Sequence, residues 1–332
     1  MGRTRRFRVG LIGAGAIAQV AQLPALADAP DVEIAGIVTT RPESAEANLR
    51  RWPIERAYPN AEALVDGGGL DAVFVLTPRH QHVAGVELAL AAGLPVFCEK
   101  PLATAAADAR RLADEAEQRQ VVLQVGFNRR HAPVYAEARR AFGDGEVQIC
   151  VAQKHRLGSE YRATLENAIH MVDLLRWFCG EPEPGGVVAH AIAPDPYREE
   201  GIAALVRFAG GAVGSLLAAR RAGEWDERLE AFGGDLSARV LAPDSVALTR
   251  AGTTTLTEVR PRAFGWASAS DTLGFRAATL DFLRCAREGE RPLVDGREAA
   301  RTQALLEAIL EAAGLPTAEH PDREWVSHAA AS

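Results

Sequence analysis

Lysine is almost missing from this chain. Only Lys100 and Lys154 occur, and arginine carries nearly all the other basic charge. Together with abundant alanine, that bias reflects genome composition more than function, but it makes the two lysines worth placing. Cysteine is scarce as well. Cys98, Cys150, Cys179 and Cys285 are widely spaced and sit in apolar runs. That pattern argues against a disulfide framework or a zinc site and suits buried thiols in a reducing compartment. No apolar run approaches the roughly 20 residues a membrane span needs. Positive charge is not in excess either: the formal net charge of -7 argues against non-specific nucleic-acid binding. What remains is the composition of a soluble globular protein, and 332 residues are enough for two domains.

The start of the chain, RTRRFRVGLIGAGAIA, has twin arginines before an apolar stretch and so mimics an export signal. The apolar part reads instead as a strand followed by a glycine turn, and cleavage there would remove the nucleotide site described next. A cytoplasmic protein is the expectation. The first 125 residues alternate short apolar runs (FRVGLIG, VEIAGIV, DAVFVLT, LPVFCEK, VVLQVG) with helical patterns at 16–28, 42–50, 60–66, 80–92 and 104–119. Strands alternating with helices predict a doubly wound parallel sheet, and the unbroken apolar character of the strands predicts burial on both faces. The rhythm changes after that. A helix near 131–142, a half-buried strand EVQICVAQKHR and a helix near 163–179 precede seven strand-like runs between 186 and 260. These predict one large open antiparallel sheet in an α+β domain, closed by helices near 270–288 and 297–313. The expected domains are therefore 1–125, binding a dinucleotide, and 126–332, binding substrate and mediating oligomerisation.

Between the first strand and the first helix stands Gly13-x-Gly15-x-x-Ala18. Gly13 allows the tight turn, Gly15 lets the backbone approach a pyrophosphate, and Ala18 permits close helix–strand packing. The N–H groups at the start of the helix, at Ala16 and Ile17, face the phosphates. At the end of the second strand an NAD enzyme usually carries an acid for the ribose 2′-hydroxyl. This chain has Thr39-Thr40-Arg41 and no acid before Glu43. The threonines can hydrogen-bond a 2′-phosphate and Arg41 can pair with it, which favours NADP(H) over NAD(H). The alternative for Arg41 is a solvated loop arginine.

Lys100 follows the fourth strand, at the carboxyl end where open α/β sheets bind ligands. Pro101 biases Lys100 away from helical dihedrals, and the bond between them can be cis. A lysine pKa shifts readily; beside a cationic nicotinamide it falls, so Lys100 can share a proton with a substrate hydroxyl.

The segments RVGLIGAGAIA, VLTPRHQH, VFCEKPLA, QVGFNRRHAP and IHMVDLLRWFCGEP, in that order and spacing, resemble the Gfo/Idh/MocA family of sugar and cyclitol oxidoreductases over about residues 7–313. The resemblance implies a Rossmann domain, a second domain with a large open sheet, and hydride transfer between nicotinamide and a carbinol or ketone carbon. It assigns contact with substrate and cofactor to Lys100 and matches the family's catalytic histidine to His170. The family commonly has aspartate four residues earlier; here Glu166 stands there, on the same helical face. Imidazole beside a carboxylate makes a proton shuttle near neutral pH, the alternative being a core histidine. Asn167 adds a polar group where the family is commonly apolar. Thr77, Pro78 and His82 match a segment beside the nicotinamide ribose, and Glu99 is expected to anchor the Lys100 loop or the ribose. Asn128, toward the cofactor, and Arg129, toward the substrate, follow the last Rossmann strand. Lys154, His155, Arg156, Tyr161 and Arg162 precede the His170 helix and are candidates for the substrate pocket.

The expected activity is a ketoreductase working on a sugar, amino-sugar or cyclitol, with no metal, nucleic-acid or membrane partner. Two alternatives stand beside it: a glycosidase of this fold that uses bound NAD transiently, and a non-catalytic NADP(H)-binding regulator. By the same resemblance the open sheet is expected to bury against further copies in a homodimer or homotetramer.

Overall fold

Five short strands pair in parallel because almost every residue in them is apolar and none has a face to leave in water. The computed structural model describes residues 5–143, 147–159, 162–259 and 269–318. The strands are β1 (Phe7–Ile12), β2 (Val32–Val38), β3 (Ala72–Val75), β4 (Val96–Cys98) and β5 (Leu123–Val125), in the order β2-β1-β3-β4-β5. All of β3, β4 and β5 is buried, as parallel strands covered on both faces must be. The helices between them fall where the apolar periodicity places them, at Pro42–Arg51, Ala61–Gly67, His82–Ala91 and Ala106–Gln118. Asn60 caps one of these, accepting from the Ala63 N–H at 2.8 Å.

The chain divides into two compact units, one containing the residues up to Phe127 together with Phe275–Ala300, the other Asn128–Gly274 and the stretch from Arg301. The sequence division at 125/126 falls close to the first crossing but leaves the C-terminal return in the second domain. The return has a clear physical cause. Phe282, on the helix Phe275–Glu288, is fully buried and meets Phe74 and Phe97 edge-on, with centroids 5.1 and 5.7 Å apart, while Phe74 and Phe97 stack at 5.2 Å. The Gln124 amide donates to the Ala278 carbonyl at 2.8 Å, and Val125 N–H to Val294 at 2.9 Å, closing the edge of β5.

The second unit holds an eight-stranded sheet made of β6 (Ile149–His155), β7 (Pro182–Ile192), β8 (Gly201–Phe208), β9 (Val213–Ala219), β10 (Asp226–Gly233), β11 (Leu236–Leu241), β12 (Ser245–Arg250) and β13 (Thr253–Glu258), in the order β13-β12-β11-β10-β6-β9-β8-β7. The sheet is antiparallel except where β6 enters between β10 and β9, pairing parallel with β9. Ile202, Ala204, Val206 and Phe208 on β8 are buried, and alternate residues face outward, the period of two that a one-sided sheet requires. The helix Ile169–Cys179 covers β6 and β9, and Pro133–Phe142 covers β11 and β12. The other face shows Ile149, Val188, Leu205 and Val213 well exposed.

Phe282→Ala removes the keystone of the aromatic cluster. It should cost about 3–5 kcal/mol of unfolding free energy, read from urea titration; a loss below about 1 kcal/mol would show that Phe282 adds nothing to this core.

Candidate active site

In the first unit, the glycine turn after β1 is built for close approach. Gly13 has φ +96°, and a Cβ there would lie 2.8 Å from the Leu76 carbonyl and the Thr77 nitrogen, so no other residue fits without moving that backbone. Gly15 is different: a Cβ there would meet nothing within 4 Å, leaving the backbone open to a ligand. Ala16 is exposed and Ile17 half-buried at the head of a helix that passes through a π turn, Ala18–Gln22, into Leu23–Ala27. Ala18 is fully buried. Open backbone before a helix N-terminus suits a pyrophosphate. Beyond β2, Thr39 Oγ1 donates to the Arg41 carbonyl at 2.9 Å and Arg41 lies exposed at the cap of the next helix. Beyond β3, Thr77 holds its Oγ1 enclosed without a partner among the described residues. Pro78 opens the turn that leads to His82. Open backbone at Gly15, the helix head and the waiting Thr77 hydroxyl fit a nicotinamide dinucleotide at the carboxyl ends of β1 to β4.

Lys100 is half-buried at the end of β4, and its bond to Pro101 is cis. Glu99 is buried and accepts from Gln22 Nε2 at 2.6 Å and from the Lys100 N–H at 3.2 Å. Burial pushes the Glu99 carboxyl up, opposed by Lys100 and by these hydrogen bonds. Gly126 stands against it, where a Cβ would come 3.1 Å from Glu99 Oε2. Gln22 went unnoticed in the sequence; its only signal was a second amide, after Gln19, on the buried side of a helix otherwise apolar. His82 is buried, its Nδ1 2.6 Å from the Pro101 carbonyl and its Nε2 2.8 Å from the Thr77 carbonyl.

In the second unit, the expected helix at 163–179 begins as a π turn, Ala163–Ala168, before Ile169–Cys179 continues as α-helix. π turns recur at functional sites. Glu166 lies in that turn and its carboxylate accepts the Arg162 N–H. His170 is buried on the α segment. Asn167 ties the turn to β6, accepting from Arg156 Nε at 2.8 Å and donating to the Lys154 carbonyl at 3.2 Å. Arg156 also lies over the Trp225 ring, 5.7 Å from its centroid. His155 alternates with Lys154 and so falls on the sheet face opposite the one that carries Cys150, Ala152 and Lys154. Arg162 is buried in an ion pair with Glu199 at 2.7 Å. Asn128 is buried and donates to the Leu273 carbonyl at 2.7 Å. Tyr161 lies outside the described residues. Asp173 takes a bidentate Arg130, at 2.7 and 2.9 Å, and the Thr302 hydroxyl at 3.0 Å, a structural role.

Sequence reading missed Glu227 altogether. It lies directly across from Lys154 in the β10–β6 register and is fully enclosed. Three hydrogen bonds converge on it, from Arg129 Nε at 2.6 Å and Nη2 at 3.0 Å and from the Tyr135 hydroxyl at 3.0 Å, and Lys154 Nζ forms an ion pair with it at 2.8 Å. Burial pushes Glu227 up, but Arg129 and Lys154 outweigh it and hold the carboxyl well below the usual range. Burial pushes the Lys154 amine well down, against the pull of Glu227. The second lysine of the chain is thus an interior one. Among the described residues no group of three or more His, Cys, Asp or Glu is placed to hold a metal ion, and no helix is long and apolar enough to cross a membrane.

The fold has known counterparts. The profile of an oxidoreductase family with an NAD-binding Rossmann fold, GFO_IDH_MocA, matches residues 7–127, and that of the GFO/IDH/MocA C-terminal domain matches residues 133–239. The chain belongs to the Gfo/Idh/MocA oxidoreductase family. It is 35% identical to the rhizopine catabolism protein MocA of Rhizobium meliloti over 187 residues, 53% of this chain and 58% of MocA. The chain spans little more than half the length of the first such curated relatives. It is 27% identical to the D-apiose dehydrogenase of Paraburkholderia graminis over 92% of this chain and 87% of that protein. Among solved structures, UDP-N-acetylglucosamine 3-dehydrogenase from Acidithiobacillus ferrooxidans superposes with a TM-score of 0.82 at 25% identity, covering 92% of this chain and 97% of that one.

Glu227→Gln leaves Arg129 and Lys154 enclosed without a counter-charge and should destabilise by about 3–5 kcal/mol near neutral pH. Because the folded carboxyl is held low, its contribution is complete above the unfolded value of about 4.3 and fades as pH falls below it. Denaturant titrations of both proteins should show the gap between them narrowing from about pH 4.5 downward; a pH-independent gap would count against the ion cluster.

Proposed function

We propose that this protein is an NADP(H)-dependent oxidoreductase that interconverts a carbinol and a ketone on a sugar, amino-sugar or cyclitol, working as a ketoreductase in the cytoplasm. The observation that carries this reading is Lys100. It is a half-buried cation at the carboxyl end of β4, in a segment held from below by Glu99 and Gln22, in the unit where Gly15 leaves the backbone open. The relatives support the substrate class: they are named for D-apiose and for UDP-N-acetylglucosamine, both polyhydroxylated. A nicotinamide held at the carboxyl ends of β1 to β4 would supply the carbon that gives or takes the hydride. Lys100 polarises the substrate oxygen, stabilising the charge that builds on it. His170 holds or returns the hydroxyl proton, the work for which imidazole is suited near neutral pH. Thr39, Thr40 and an exposed Arg41, with no acid before Glu43, support a 2′-phosphate and so NADP(H). Four free, buried cysteines suit a reducing compartment.

The test follows NADPH and NADH absorbance against a panel of ketosugars and keto-cyclitols. Consumption with at least one of them, faster with NADPH, is expected. Lys100→Met and His170→Ala should each lower turnover roughly 10²–10⁴-fold while cofactor affinity, read by fluorescence quenching, stays close to the parent value. Near-normal turnover in both variants would sink the assignment.

The outer face of the second unit's sheet completes the proposal. Val188 and Leu205 stand directly opposite each other on β7 and β8, 61% and 54% exposed, with Val213, 40% exposed, diagonal to Leu205 on β9, and exposed apolar side chains grouped in this way support an interaction surface. A second copy of this chain is its proposed partner. Leu205→Glu should lower the mass measured by light scattering from a multiple of the chain mass to one chain; an unchanged mass would place the contact elsewhere.

A further inference from the structure

We propose that His82 is a positioning residue for Lys100: its ring clamps the Pro101 carbonyl to the Thr77 carbonyl and thereby fixes the peptide on which Lys100 stands. His82 is the first residue of the helix His82–Ala91 and is 1% exposed, so it acts from within the fold. The carbonyls it faces belong to the chain just beyond β3 and just beyond β4, two neighbouring strands of the sheet. A carbonyl oxygen only accepts, so each contact needs an N–H on the ring, and the clamp closes fully when both ring nitrogens are protonated. Burial works against that charge, as do the cations of Lys100 and Arg79; the bonds to Pro101 and Thr77 favour it. On the other side of Lys100, Glu99 is tied to Gln22 and accepts the Lys100 N–H. The backbone is thus held at the lysine's own N–H and at the carbonyl one residue after it.

Two isosteric variants separate this role from others. The amide nitrogen of asparagine occupies the place of Nδ1 and keeps the bond to Pro101. That of glutamine occupies the place of Nε2, keeps the bond to Thr77 and releases Pro101. The first readout needs neither substrate nor cofactor and so does not depend on the proposed activity. Trace acetylation with acetic anhydride, resolved by mass spectrometry, reports the pH at which the Lys100 amine becomes reactive; the one other lysine, Lys154, is enclosed. His82→Asn should keep the parent midpoint, whereas His82→Gln should move it by about one pH unit, the scale on which lysine environments vary in folded proteins. The second readout rests on the proposed function. With a substrate from the panel, His82→Gln should lower kcat roughly 10–100-fold, the cost of a small misplacement, with the cofactor KM within about two-fold of the parent, and His82→Asn should restore most of kcat. Identical midpoints in both variants would overturn the proposal, and so would a loss of cofactor affinity in step with kcat, which would make His82 a cofactor contact.

Discussion

Everything at the nucleotide end of the first unit depends on the burial of Phe97. β4 is only three residues long, and Phe97 at its centre is sealed between Phe74 and Phe282. A strand that short has few ladder bonds to hold it, so the packed ring fixes its register against β3 and β5. Just beyond it the chain leaves the sheet with Glu99 buried and Lys100 half-buried. The lysine is aimed because the phenylalanine cannot slide.

The near-absence of lysine takes on a different meaning inside the second unit. Three buried carboxylates, Asp173, Glu199 and Glu227, each pair with an arginine, and in the Asp173 and Glu227 pairs the guanidinium engages both oxygens. A planar fork meets a carboxylate with two parallel bonds and is more weakly hydrated than an ammonium, so it tolerates enclosure better. Whatever set the composition, arginine is the cation this interior can use. Lys154 shows the contrast: it reaches the same Glu227, and burial drives its amine toward the neutral form.

Much of the fold could be read from local pattern, and the misses share one cause. The β/α alternation up to 125 and the seven strands between 186 and 260 are visible because burial writes a period of none or two into the sequence. The entry of β6 between β10 and β9 is not visible, since the period tells which face is buried and not which strand lies alongside. The same limit hid the return of Phe275–Glu288 to the first unit: an amphipathic helix declares a buried face without naming its cover. The tight turn at Gly13, the open backbone at Gly15 and the cis bond after Lys100 were legible because each is a local feature. The carboxylates that bind Arg129 and Arg162, Glu227 and Glu199, stayed hidden because they lie far away along the chain. The π turn before His170 left no trace in apolar spacing, because one added residue in a buried turn leaves the run apolar.

The path of the chain through the two units also orders events during synthesis. A ribosome delivers β1 to β5 first, yet the aromatic cluster beneath them stays open until Phe282 emerges, after the whole eight-stranded sheet has been made. The nascent first unit therefore carries an uncovered apolar patch for most of its time on the ribosome. The middle of the chain behaves as an inserted domain whose prompt folding decides how soon the two ends of its host can meet. A fragment cut at the end of β5 would inherit that unfinished surface permanently.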